Sequence, residues 1–336
     1  MPLLLVENAI WHSPRQLWTA LHTYESAADM KRMLMVERGG CPELLALGTS
    51  LSDRTITGRH MDGKRMERDF RVQYSFDFAV GHMRPEGMLA QWRWLQERGC
   101  TPRYVVVELS PVVLNENGAL KAHDPPLMDL LTFAAMPDGF AQSRGYDYAA
   151  VAQLLTYDRL LSFRRRKELV RWAGQRLGML EEVQRIAYPS DGQLRRVPTR
   201  RMGSVSLAKE GRKQRRRARR GKFKHGTGRV QLAAMDMLTD AINATDARLI
   251  FHTPPVLPLY RDEIERQGGM AGWCAVVRTY RERPGIEWFN QYGATDYSNR
   301  LFSDWVHLNR RGARLYARNF RLAVFHRRYP HDGYCD

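Results

Sequence analysis

The chain has 336 residues, 43% of them hydrophobic and 26% charged, which is enough apolar content for a large core and rules out a disordered polyelectrolyte. A net charge of +17 with a pI near 10.1 suggests anionic partners such as nucleic acid, anionic lipid or acidic polymers, or simply high solubility, and excludes no fold. Cys41, Cys100, Cys274 and Cys335 lie far apart with no CxxC pair, which argues against a metal framework and, by the low count, against a dense disulfide scaffold.

The start, MPLLLVENAIW, has a short apolar run with no basic region before it and a Glu inside it, a poor signal peptide. No stretch reaches the length of a membrane span. The default expectation is therefore a cytoplasmic protein, or one of the cell envelope if an export segment precedes this start. In chain order, Ser13 and Pro14 open a helix predicted over 13–38, stopped by Gly39-Gly40. Residues 1–40 read as an N-terminal helical extension. An apolar run of strand length, 43–47, ends at Gly48, and a second extended run, 72–80, ends at Gly81. A helix over 85–98 leads into the strongest strand, 103–109, which stops at Ser110-Pro111. Helices follow at 148–161 and 165–185.

A low-complexity run then begins at Lys209 and ends at Arg229, with 11 Lys or Arg against one Glu. It carries +10 of the net charge and leaves +7 for the rest. Residues 186–229 read as a flexible insertion whose basic part could contact an anionic polymer or membrane surface. The one aromatic of the basic run 209–229, Phe223, does not make a base-stacking platform. Helix signals resume at 230–244, followed by a strand at 247–252, a helix at 261–281, a strand at 285–290 and a last helix at 309–324. Apolar strands alternating with helices predict an α/β fold, a parallel sheet covered on both faces, with its site at the carboxyl ends of the strands.

Two candidate blocks sit at such ends. In Gly48-Thr49-Ser50-Leu51-Ser52-Asp53 a strand-to-helix turn can expose the Ser50 hydroxyl and aim its N–H at a developing oxyanion. In Asp304-Trp-Val-His307 the carboxylate can fix the imidazole tautomer so that His307 takes a serine proton. Each block alone also reads as an ordinary turn: Ser50 as a helix N-cap or turn residue, Asp304 as the cap of a turn, His307 as a packed or solvated ring. His252, at a strand end, reads as a hydrogen-bonded core or rim histidine, and Trp92 and Trp94 as core and rim. Trp305 is left open between contacting substrate and anchoring its loop.

Together, in the order Ser, Asp, His, the blocks GTSLSD and DWVHL resemble those of the SGNH/GDSL hydrolase superfamily. The ending HLNRRGARLYARNF and the phrases VVVELSP and LIFHTPP resemble its subgroup related to acyl-transfer proteins of bacterial polysaccharide and teichoic-acid modification. The resemblance implies a flavodoxin-like three-layer fold over 41–326. It implies a Ser50–His307–Asp304 triad, and an oxyanion hole built from the N–H groups of Ser50 and Gly81 with a third donor. No asparagine stands in register for that donor, and Asn115 is the nearest candidate. Thr49 replaces the usual aspartate of the turn. The implied activity is a serine esterase or acyltransferase working on an ester or acylated glycan, such as O-acetyl groups, without metal or organic cofactor. The alternative is a catalytically inactive module of the same fold that binds an anionic polymer. The sequence leaves the oligomeric state open.

Overall fold

The computed structural model describes residues 27–56, 72, 74–81, 83–114, 227–266, 268, 270–324 and 334–335. Asn115, the helices predicted at 148–161 and 165–185, and the basic run as far as 226 lie outside the described residues.

Five strands carry the sheet: β1 Leu44–Leu47, β2 Ser75–Asp77, β3 Tyr104–Glu108, β4 Arg248–Thr253 and β5 Ile286–Asn290. All neighbours pair in parallel, in the spatial order β2-β1-β3-β4-β5. The central strands are short, and every residue of β1 and β3 is buried, as a parallel strand covered on both faces requires; all are apolar except Glu108, which closes β3. The order is that of a doubly wound sheet, in which the chain leaves β1 towards one edge and β3 towards the other.

Helices cover both faces. They are α1 Ala27–Arg38, α2 Pro85–Gln96, α3 Arg229–Asn243, α4 Pro258–Arg266, α5 Met270–Arg281 and α6 Arg310–Val324. Side chains alternate between faces along a strand, so neighbouring residues of β4 identify the layers. Phe251 packs edge-on against Tyr280 of α5, and Tyr280 donates a hydrogen bond to Asp236 of α3. Gln231 of α3 in turn donates to Glu86 of α2. His252 and its register partner Phe289 point the other way, where both meet Tyr316 of α6. Thus α2, α3 and α5 share one face and α6 covers the other.

One expected helix is divided, for a local reason. The helix expected over 261–281 is two, α4 and α5, because Gly268 between them takes φ +71°, a left-handed conformation that ends a helix. In the extended run at 72–80 the strand is Ser75–Asp77, and backbone hydrogen bonds from Phe78 N–H to Ala46 O and from Val80 N–H to Gly48 O carry the pairing on towards Gly81. The N-terminal helix, described from Ala27, packs on the sheet domain: Met35 is a core residue and Lys31 is 1% exposed.

All four cysteines are paired. Cys41–Cys100 joins the segments that enter the adjacent strands β1 and β3, with Cα atoms 5.2 Å apart. Cys274–Cys335 fastens the end of the chain to α5 with a Cα separation of 4.9 Å. Beside it Tyr334 packs against Trp273 and Tyr292, and its carbonyl accepts a hydrogen bond from Asn290 at the end of β5. Each bridge closes a loop of about 60 residues (separations 59 and 61), where a cross-link restricts the unfolded chain strongly. Native protein is expected to show no reactive thiol until reduced. The double substitution Cys41→Ser with Cys100→Ser should cost about 2–4 kcal/mol, read from the denaturant midpoint.

Candidate active site

The sheet reverses direction of winding between β1 and β3, and Ser50 lies three residues beyond β1 at that crevice. One step past the Leu47–Val107 pair, Gly48 faces Glu108, and Glu108 in turn pairs with His252. Gly48 is needed for space. A Cβ there would fall 2.1 Å from Ser52 Oγ and 2.9 Å from Glu108 Cβ, so any side chain would evict the serine that fills the gap. The chain then makes a tight turn, Asp53 N–H donating to Thr49 O at 3.1 Å, and enters a single 3₁₀ turn, Ser52–Arg54. Within it Ser52 is wholly buried while Ser50 is partly exposed.

The opposite wall is the loop between β5 and α6. Asn309 caps α6, its Oδ1 accepting from Arg311 N–H at 3.0 Å and Gly312 N–H at 3.2 Å. Its Nδ2 donates back to the carbonyls of Arg300 and Phe302. Gly312 lets the helix start press onto this loop, since a Cβ there would lie 2.3 Å from Leu301 O. Phe302 bridges Leu308, and Ser303 N–H donates to His307 O at 2.9 Å, so 302–308 forms a closed arch. Inside the arch Asp304 Oδ1 accepts the N–H groups of Val306, at 3.1 Å, and His307, at 2.9 Å.

The two walls meet at the side chains. Ser50 Oγ lies 2.8 Å from His307 Nε2, and His307 Nδ1 lies 2.8 Å from Asp304 Oδ2 and 3.0 Å from Oδ1. Partial burial of Asp304 opposes its ionisation. The hydrogen bond and charge of His307 and the two backbone N–H groups outweigh it and hold the carboxyl below its usual range. With Nδ1–H donated to this carboxylate, Nε2 is free to accept the Ser50 proton. Gly81, after β2, borders the same serine: a Cβ on it would lie 3.9 Å from Ser50 Cβ, an ordinary contact. Trp305 packs edge-on against Tyr260 of α4, and Leu257 N–H donates to its carbonyl. Asn115 lies outside the described residues.

Lys31 joins the parts that flank Ser50. Its ammonium donates to Asp53 at 3.0 Å and to the carbonyl of Ala79, and forms an ion pair with Asp77 at 3.2 Å. One cation thus holds the turn after β1 and the segment leading to Gly81. Burial disfavours the charge on Lys31, but the two carboxylates raise its pKa overall. Burial pushes the Asp77 pKa well up; Lys31 moderates this and Asp53 adds to it.

A second serine–histidine pair lies in the core. Ser52 Oγ is 2.9 Å from His252 Nε2, and His252 Nδ1 is 2.9 Å from Tyr316 OH. Both Ser52 and His252 are 0% exposed, which bars a substrate and leaves Ser50 as the serine of the crevice. Glu108, Lys31 and Asp77 carried no role in the sequence reading. The available signal was the acidic residue that closes the apolar run YVVVE.

A hydroxyl in series with an imidazole and a carboxylate can form an attacking alkoxide without metal assistance. Among the described residues no group of His, Cys, Asp and Glu is placed to hold a metal ion, and no helix is long and apolar enough to cross a membrane. No protein-family model matches the chain, and no curated protein matches it in sequence.

Burial lowers the His252 pKa from 6.5 to about 3. The unfolded chain therefore binds this proton first as pH falls. The stability His252 contributes is present above pH 6.5 and is lost through the window down to about 3. The slope is at most about 1.4 kcal/mol per pH unit. In urea titrations at pH 7 and pH 5, His252→Gln should lose less stability between the two than wild type.

Proposed function

We propose that this protein is a serine esterase or acyltransferase of SGNH type that works through an acyl-enzyme on Ser50. The observation that carries the reading is the continuous series in which Ser50 Oγ lies 2.8 Å from His307 Nε2 and His307 Nδ1 lies 2.8 Å from Asp304 Oδ2. The parallel sheet in the order β2-β1-β3-β4-β5, with Ser50 at its crevice, supports the flavodoxin-like SGNH frame.

In this mechanism His307 Nε2 takes the Ser50 proton as Oγ attacks an ester carbonyl. The backbone N–H groups of Ser50 and Gly81 face the oxyanion of the tetrahedral adduct. His307 then protonates the departing alcohol and an acyl-Ser50 ester remains. Water completes a hydrolysis, or a sugar hydroxyl completes a transfer, with His307 removing the incoming proton. Asp304 keeps the imidazole in the required tautomer and stabilises the imidazolium. O-acetyl groups of a glycan are the substrate class we assign. The two disulfides support an oxidising compartment, where such an envelope polymer would be met.

The second reading is a non-catalytic module of the same shape that holds an anionic polymer. It has one observation in its favour: Arg310, Arg311, Arg314 and Arg318 stand exposed on α6 without an ion pair among the described residues. Labelling with a fluorophosphonate, which requires an activated serine, separates the two. Wild type should label, Ser50→Ala should not, and His307→Ala should label slower by on the order of 10⁴-fold or more. Asp304→Asn should fall by about 10⁴-fold through loss of the tautomer. Well-folded wild type that ignores the probe, while binding polyanions at low salt, would establish the module instead.

A further inference from the structure

The wholly buried carboxylate of Glu108 stands directly behind the Ser50 turn. Oε2 accepts from Thr49 N–H at 2.8 Å, Thr49 Oγ at 2.9 Å and Ser52 Oγ at 2.7 Å. Oε1 accepts from Thr49 Oγ at 3.0 Å and Ser110 Oγ at 2.8 Å. The Thr49 hydroxyl thus bridges both oxygens. Four hydrogens (one amide and three hydroxyl) converge on two oxygens, the number of lone-pair sites an ionised carboxylate offers.

The directions beyond Glu108 are fixed in turn. Ser52 spends its hydrogen on Glu108, so its oxygen accepts from His252 Nε2–H. Neutral His252 then has Nδ1 free to accept from Tyr316 OH, in keeping with a pKa lowered to about 3. Every donor runs one way, from α6 through β4 and the 3₁₀ turn to the end of β3. Thr49 Oγ also accepts from Leu51 N–H at 3.1 Å, so Glu108 holds the backbone on both sides of Ser50.

We propose that Glu108 is a positioning residue for the Ser50 nucleophile, acting through Thr49 and Ser52 rather than by touching substrate. The proposal rests on the assignment of Ser50 as nucleophile. Thr49 occupies the place where the GDSL turn carries an aspartate. A carboxylate from the neighbouring strand reaches the same turn instead. Ser50 itself makes no bond to Glu108, so the effect is geometric: the carboxylate sets where Oγ stands relative to His307 Nε2. A misplacement of about 1 Å at such a distance costs on the order of 10²-fold in rate.

The test is the second-order rate of fluorophosphonate labelling per folded molecule, with melting and circular dichroism measured on the same samples. Glu108→Ala is expected to label about 10²-fold slower. Glu108→Gln, which keeps one oxygen for Thr49 N–H and Ser52, should recover to within about 10-fold of wild type. Val107→Ala is the control for simple loss of core: it sits on the same strand facing the other layer, and should melt lower while its folded fraction labels at the wild-type rate. Wild-type labelling by folded Glu108→Ala would overturn the proposal. If that variant does not fold, the pair Thr49→Val and Ser52→Ala decides, because each removes a contact with the carboxylate and leaves the carboxylate in place. Labelling at least about 10-fold slower in both supports the role, and wild-type rates in both overturn it. A wild type that does not label overturns the assignment of Ser50 itself, a result distinct from any of these.

Discussion

A carboxylate without access to solvent is costly unless each of its lone pairs is met, and Glu108 meets that condition with groups drawn from the turn after β1 and from Ser110, just past the end of β3. Much else follows. Gly48 is without a side chain so that Ser52 can reach the carboxylate, and Ser52 is buried so that it can also accept from His252. Tyr316, at the far end of the chain of donors, belongs to the helix whose first turn presses on the His307 arch. The two halves of the crevice are therefore connected through the core as well as across its mouth.

Lys31 solves a related problem differently. Three ionisable groups are buried together, two of them acidic, and a single ammonium serves both. Replacing a buried ion pair with apolar residues often costs little, so stability alone is a weak account of it. What the arrangement supplies is registration. It fixes a helix, the segment before Gly81 and the turn after Ser50 relative to one another by direct polar contacts.

The parts legible in the sequence were those with a local signature. The apolar runs ending at Gly48, Ser110 and Thr253 gave strands because parallel strands buried on both faces are written as near-continuous hydrophobic stretches. Ser50, Asp304 and His307 could be singled out because each lies in a short block with a chemical logic of its own. Glu108 could not, since its meaning depends on which strand lies beside β3 and in what register, and one sequence does not contain that information. Pairing of the cysteines was hidden for the same reason: separations of 59 and 61 residues say nothing of proximity. The break at Gly268 was missed because apolar periodicity continues on either side of a single residue whose φ changes sign.

The Cys41–Cys100 bridge lies at the amino ends of β1 and β3, whereas Ser50 and Glu108 lie at their carboxyl ends. Rigidity and chemistry thus occupy opposite rims of the sheet. Active sites commonly sacrifice stability to hold unfavourable geometry, and a fold with its staple among the reacting groups would feel each exchange in both properties at once. Here a reserve of stability is stored a strand's length away. That separation gives the crevice latitude to accumulate substitutions without losing the scaffold beneath it.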